Sequence, residues 1–374
     1  MRLHLVSLPH TETTSEYMTC AYTQKVVKFS KMMVEQGHEV FLYAGTRNEA
    51  ICSEHIEVIT EEERLGWYGK WDTNKPPDVD WSPDQLPWGV MAARTVRSIK
   101  KRREPGDILC MVAGWSQQAI SKALPQLLPL EWAVGYEGIH HQYRVFESYA
   151  WMHHVYGLTG NKGWDYNTIA YDTVIPNFFD PVDFHTAPDK DDYLLFIGRL
   201  VRRKGPDAAA RIAALTGRKL IVAGPGAKAL MPGRIIAEDV VIEGDVEYVG
   251  AVGADERAEL MSRAAACIVP TLYVEPFGGV AVEAMMCGTP VVATDWGAFP
   301  ETVQTGISGY RFRTLREGAR AVEKAVLLDT QAVSDYAHRR YSIDAVGPMF
   351  SEHFERLQEL WDEGGWFASR SLTD

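Results

Sequence analysis

The chain lacks any long apolar run, and nothing in its 374 residues approaches the length needed to span a bilayer. Cysteine is scarce. Cys20, Cys52, Cys110, Cys267 and Cys287 are odd in number and scattered, which argues against a disulfide framework or a zinc site. Cys110, Cys267 and Cys287 sit in apolar stretches and read as buried free thiols. No G-x-G-x-x-G turn follows the first strand pattern, which weakens the case for a nicotinamide dehydrogenase. Positive charge is in the minority: 38 Lys and Arg against 50 Asp and Glu argue against a broad nucleic-acid surface. The local exception is Arg94, Arg97, Lys100, Lys101, Arg102 and Arg103, a candidate contact for nucleic-acid phosphates or a peripheral membrane. The preferred reading of that cluster is the solvated end of a helix. The opening MRLHLVSL reads as a strand rather than a leader, so a cytoplasmic, reducing compartment is expected. The length suffices for two well-buried cores.

The most informative stretch runs from Thr271 to Glu301. An apolar run, Ala264 to Val269, reads as a buried parallel strand, followed by Glu275, Pro276 and Phe277 in a loop. Gly278 and Gly279 come next, and Val280 to Cys287 carries apolar residues at helical spacing up to Gly288, placed as a C-cap. Thr289 to Thr294 is a second buried strand. A helix that starts at two glycines offers unpaired amides and the positive end of its dipole, and it lets a phosphate approach the backbone closely. Glu275 stands before that helix and Glu283 just over a turn inside it, where a carboxylate can accept bonds from a ribose diol. The plain alternative is a tight turn with two solvated glutamates.

The spacing Glu275–x7–Glu283 lies within EPFGGVAVEAMMCGTPVVAT, closed by Pro300-Glu301, and resembles the donor-site signature of family-4 retaining glycosyltransferases. Upstream, Gly198-Arg199-Leu200 and Lys204-Gly205 are similar to that family's G-R-L and K-G elements. Arg199 offers a planar fork and Lys204 a point charge, both suited to a diphosphate. The resemblance implies an α/β chain of GT-B architecture: two Rossmann-like domains with parallel sheets facing across a cleft. It implies an acceptor domain over residues 1–180 and a donor domain over 181–345, with a C-terminal helix in 346–374 crossing back to the first domain. Donor contacts then fall on Gly198, Phe277, Gly278, Gly279, Glu283 and, through the backbone of Val246 to Val252, Val249.

The N-terminal half matches more loosely. Its first loop, HTETTSEYMT, has no glycine pair where the family usually has one, and Thr13, Thr14 and Ser15 are candidates to donate hydroxyls instead. Residues 67–88 hold Pro76, Pro77, Pro83 and Pro87 with Trp67, Trp71, Trp81 and Trp88, and read as an irregular loop. Trp71 and Trp81 are candidates to stack on a sugar or base, or else staples of that loop. Helices are expected over Thr19–Gln36, Ser116–Leu128 and Tyr143–Tyr156. The strand Glu131–Tyr136 delivers Glu137, His140 and His141, and in the resembled family a histidine near here bonds the transferred sugar.

The implied chemistry is sugar transfer from a UDP- or GDP-linked donor, with retained configuration, to an unidentified acceptor. Arg199, Lys204, Glu275 and His140 are the candidate catalytic residues. Charge on the departing diphosphate would be met by Arg199, Lys204 and the Gly278–Gly279 amides, so no metal or other cofactor is required. A sugar-nucleotide 2-epimerase of the same fold and a non-catalytic nucleotide-sugar binder are the alternatives.

Overall fold

The structure, a computed structural model, describes residues 1–17, 19–72, 78–159 and 171–362. It divides into two compact units. The first comprises Met1–Glu147, His154–Phe178 and Val346–Asp374; the second comprises Ser148–His153 and Phe179–Ala345.

Among the described residues, unit 1 is built on a seven-stranded sheet. Its strands are β1 (Arg2–Val6), β2 (Glu39–Gly45), β3 (Glu54–Ile59), β4 (Ile108–Met111), β5 (Leu128–Val134), β6 (Tyr143–Phe146) and β7 (Thr173–Val174). Their order is β3-β2-β1-β4-β5-β6-β7, with every pairing parallel. The central strands are near-continuous apolar runs, fully buried at Leu3, Leu5, Leu42, Leu109 and Leu130, as a sheet covered on both faces demands. The helices of this part of the chain are α1 (Ala21–Glu35), α2 (Glu61–Tyr68), α3 (Leu86–Ile99), α4 (Gln118–Ala123) and α5 (Tyr149–Thr159). The chain winds outward from β1 through β2 and β3, then outward the other way from β4. The carboxyl ends of β1 and β4 therefore flank the switch point where such sheets hold ligands.

Two expectations fail here. Tyr143–Tyr156 is not one helix: Tyr143-Arg144-Val145-Phe146 is aromatic and β-branched, and it pairs with β5 and β7 as β6. The helix starts only after Ser148, whose hydroxyl accepts the Trp151 amide at 3.1 Å as an N-cap does. Ser116–Leu128 is not one helix either. Pro125 disfavours helical backbone at Leu124, α4 stops at Ala123, and β5 begins at Leu128.

In unit 2 the strands are β8 (Tyr193–Ile197), β9 (Lys219–Ala223), β10 (Ala229–Met231), β11 (Arg234–Ile236), β12 (Val241–Glu243), β13 (Val246–Gly250), β14 (Ala266–Val269), β15 (Val291–Thr294) and β16 (Gly309–Phe312). Six form a parallel sheet in the order β13-β9-β8-β14-β15-β16, again with a switch point, between β8 and β14. The other three, β10 to β12, form a small antiparallel sheet. Its helices are α6 (Pro206–Thr216), α7 (Ala254–Arg263), α8 (Gly279–Met286), α9 (Phe299–Thr302), α10 (Leu315–Ala325) and α11 (Thr330–Tyr341). The sequence of α8 is apolar nearly all round because the helix is central: Ala281 to Met286 are all buried.

The last described helix, α12 (Ile343–Asp362), places Phe350, Phe354 and Leu357 in the core of unit 1. Phe350 meets Phe29 edge-on at 5.1 Å, and Phe29 stacks on Trp132 at 4.0 Å.

Candidate active site

In unit 2 the parallel pairing of β8 with β14 brings two separate stretches of sequence together at their carboxyl ends. After β8 the chain passes Gly198 and Arg199 and makes a short helical turn, Arg202–Lys204. After β14 it runs through Thr271 to Glu275, and the Leu272 amide donates to the Arg203 carbonyl at 2.8 Å, tying the loops together. The Lys204 ammonium donates to the Glu275 carboxylate and to the Tyr273 hydroxyl, both at 2.7 Å. Neither member of the ion pair is far from solvent, with side chains 25% and 12% exposed. Arg203 lies over the Tyr273 ring at 5.3 Å. Burial and the Glu275 charge push the Tyr273 hydroxyl up, opposed by Arg203 and Arg199, so Tyr273 stays neutral. Arg199 is exposed, and its guanidinium has no hydrogen-bond or ion-pair partner among the described residues.

Next to this cluster α8 begins. Its N-cap, Gly278, adopts a left-handed conformation (φ 83°), and a Cβ there would lie 2.5 Å from a ring carbon of Phe299. Glycine is required on both counts. Gly279, the first helical residue, is half-buried. Glu283, only 8% exposed, faces Arg257 of α7 at 3.3 Å. At the sheet edge, the register between β13 and β9 slips between Tyr248 and Gly250, leaving Val249 out of the ladder. A bulge of this kind frees backbone groups for another partner. Phe277 does not present its side chain to a ligand. Its ring is buried in the core, stacked on Phe179 at 6.3 Å and edge-on to Tyr341 at 5.7 Å, so only its backbone is open to a donor role.

In unit 1 the loops after β1, β4 and β5 converge. Gln117 is the clasp: its side-chain oxygen accepts the Val112 and Ala113 amides (3.0 and 3.1 Å), and its nitrogen donates to the Ser7 carbonyl (2.9 Å). Glu131, fully buried on β5, accepts the Tyr136 hydroxyl at 2.8 Å and the amides of His140 and His141 at 3.0 and 2.9 Å. Burial raises its pKa and those bonds oppose the rise. Gly114 (φ 46°) passes so close to the next loop that a Cβ would lie 2.1 Å from the Gly138 carbonyl. Within these loops lies a cavity of about 240 Å³, walled by Tyr22, Trp81, Trp115 and Tyr136, with Ser116 beside them.

The sequence candidates in this half separate. His140 and Glu137 are exposed, whereas His141 is buried and held neutral, its pKa lowered to about 3 mainly by burial. Thr13 is buried and donates its hydroxyl to Asn48 at 2.6 Å. The hydroxyl of Thr14 is buried with no partner among the described residues. Trp81 lines the cavity; Trp71 instead packs on Tyr17 at 5.0 Å. Of the prolines in that segment, Pro76 and Pro77 lie outside the described residues. In the basic cluster, Arg94 is held by Glu63 through two bonds of 2.7 Å and Arg102 by Glu54.

The sequence reading overlooked Tyr273, Arg257, Gln117, Glu131 and His10. His10 is 3% exposed and kept neutral by burial, its pKa lowered to about 4. Two D-x-D spacings occur as well. Asp80 accepts from Ser82 and Gln85, and Asp191 pairs with Arg263. Among the described residues, no group of three His, Cys, Asp or Glu gathers to hold a metal. No helix there is long and apolar enough to cross a membrane.

Solved structures share this architecture along nearly the whole chain. AviGT4, a glycosyltransferase involved in avilamycin A biosynthesis, matches 96% of this chain and 98% of its own, at 21% identity and a TM-score of 0.64. Anabaena HepE, solved with UDP-glucose, matches 95% and 100%, at 15% identity and a TM-score of 0.61. The two Rossmann-like units therefore define a GT-B fold. Within that fold, residues 181–332 match the family model described as glycosyl transferases group 1. It is 38% identical over 129 residues to the D-inositol 3-phosphate glycosyltransferase of Acidothermus cellulolyticus, covering 31% of this chain and 29% of that protein. Against the Mycobacterium tuberculosis protein of the same name the figures are 38% over 127 residues, 33% and 26%. The match spans less than a third of each relative's own length.

Proposed function

We propose that the protein is a retaining glycosyltransferase that moves a sugar from a UDP- or GDP-linked donor, held by unit 2, to an acceptor served by unit 1. The observation that carries this reading is the Lys204–Tyr273–Glu275 cluster at the β8/β14 switch point, beside the amino end of α8. Arg199 and Lys204 engage the diphosphate with the amides at Gly278 and Gly279. Glu275 bonds the sugar hydroxyls, Glu283 accepts from the ribose, and the Val249 backbone meets the base. On the acceptor side, His140 is the histidine assigned to the transferred sugar.

The chemistry is electrostatic. As the glycosidic bond to the diphosphate breaks, negative charge grows on the leaving oxygen. Preorganised donors there act at that moment without needing to reorganise. In the free protein Glu275 neutralises Lys204; a sugar hydroxyl that takes up the Glu275 oxygen releases the ammonium toward the phosphates. In this reading the counter-charge comes from Arg199, Lys204 and the helix amides rather than from a metal ion.

The test is incubation with a panel of nucleotide sugars, following nucleoside diphosphate release and the anomeric configuration of the product. Acceptors are screened with the best donor, beginning with the ring phosphate in the names of the curated relatives. An isomerised donor without any acceptor would replace transferase by 2-epimerase. Tight binding with no turnover across the panel would leave a binding protein.

A further inference from the structure

We infer that the acceptor is an uncharged ring compound with a flat apolar face, and that it binds in the aromatic cavity of unit 1. The inference rests on the reading of unit 1 as the acceptor-bearing half. At about 240 Å³ the cavity lies below the roughly 300–1,000 Å³ of most ligand sites, so it admits one ring system. None of its lining residues carries a formal charge.

Four backbone amides and two hydroxyls of the wall are already spent, which leaves the Tyr22 hydroxyl and the Trp81 and Trp115 indole N–H groups as its neutral donors. The amides of Val112 and Ala113 donate to Gln117, that of Trp115 to the Gly138 carbonyl at 2.9 Å, and that of Ser116 to the Ala113 carbonyl at 3.0 Å. The Ser116 hydroxyl donates to the Trp81 carbonyl at 2.5 Å, and the Tyr136 hydroxyl to Glu131. A phosphate entering here would shed its water against a wall with no charged residue: the Lys25 ammonium behind Tyr22 is already paired with Glu147 at 2.6 Å, and the buried Glu131 carboxylate lies behind Tyr136. A hydroxylated neutral ring meets aromatic faces, and Ser116, its proton committed, offers an oxygen that accepts from a ligand hydroxyl. The aromatic frame is fixed: Tyr22 packs edge-on against both Trp81 (6.0 Å) and Tyr136 (5.8 Å). Trp115, 45% exposed, lies over Gly138, where a Cβ would come 3.0 Å from the indole.

The experiment titrates the full chain with two matched pairs of probes by calorimetry. One pair is 2-naphthol and 2-naphthyl phosphate; the other is methyl β-glucopyranoside and glucose 6-phosphate. The neutral member of at least one pair should bind tenfold or more tighter than its phosphorylated partner, and the responding pair tells a phenolic ring from a sugar ring. That affinity should fall tenfold or more in Trp115→Ala. Because Trp115 is half-exposed, its loss should leave the melting temperature near wild type. Gly138→Ala, which pushes the indole inward, should weaken the same probe. Equal or tighter binding of the phosphorylated members overturns the inference. So does binding of no neutral probe, or unchanged affinity in a folded Trp115→Ala protein. Titration with UDP and GDP in the same samples separates the two readings, since failure of the neutral-ring inference leaves nucleotide binding intact.

Discussion

Replacing Lys204 by alanine has two consequences that can be measured apart. The ammonium holds Glu275 and Tyr273 at 2.7 Å each, with Glu275 only 12% exposed on its side chain. Removing it leaves a mostly buried carboxylate without its partner, which costs about 1–3 kcal/mol of stability. For a unit of this size that is about 2–4 °C in melting temperature for each kcal/mol. If Lys204 also stabilises charge on a departing diphosphate, turnover should fall about a hundredfold or more, the loss expected for one preorganised donor. The double variant Lys204→Ala/Glu275→Ala separates these effects. It removes the stranded carboxylate, so the melting temperature should recover most of its loss while turnover stays at or below that of the single variant. The assays are thermal melts and nucleoside diphosphate release under saturating donor. Recovery of both stability and turnover in the double variant would make the pair a structural clip and refute the reasoning.

Glu283→Gln should weaken nucleotide binding by about 1–3 kcal/mol in a calorimetric titration, the range for a hydrogen bond to a charged group. Unchanged affinity in a folded protein would remove Glu283 from the site. Gly278→Ala forces a side chain into a left-handed position and against Phe299, and should cost roughly 3 kcal/mol, read as a shifted denaturation midpoint. Trp81→Ala should raise the acceptor KM while nucleotide affinity holds, whereas Trp71→Ala should change melting temperature alone, because only Trp81 lines the cavity. His10 and His353, held near 4, and His141, held near 3, stay neutral in the fold but protonate near pH 6.5 when unfolded. The unfolded chain therefore binds more protons below pH 6.5, and stability should fall as pH drops from there toward 4, by up to about 1.4 kcal/mol per pH unit for each histidine. Urea midpoints between pH 4 and 8 check this, and His353→Gln should flatten the slope.

The local structure around the amino end of α8 was legible because its parts are close in sequence. Glu275, the glycine pair and α8 lie within one strand–loop–helix stretch, and parallel pairing of apolar strands is the default for such alternation. The partners of those residues were not legible. Tyr273 and Arg257 enter through contacts between loops and helices far apart in sequence. Phe277 sits inside the recognised motif, yet its ring turns toward Phe179, a direction that spacing does not encode. Trp71 and Trp81 look equivalent in an irregular segment, and only the fold of the surrounding loops distinguishes cavity wall from staple. Tyr143–Phe146 carried aromatic residues compatible with helix or strand, and pairing with β5 decided for strand.

The placement of α12 bears on biosynthesis. Phe350 and Phe354 complete a core whose other members, Phe29, Trp132 and Phe178, leave the ribosome far earlier. Every residue of unit 2 except the short Ser148–His153 segment is translated between those two events. Unit 1 is thus begun first and finished last, exposing an aromatic patch for the duration. A nascent chain arrested at Ala345 should carry an unfinished first unit that holdase chaperones and proteases can grip, until α12 emerges and closes it.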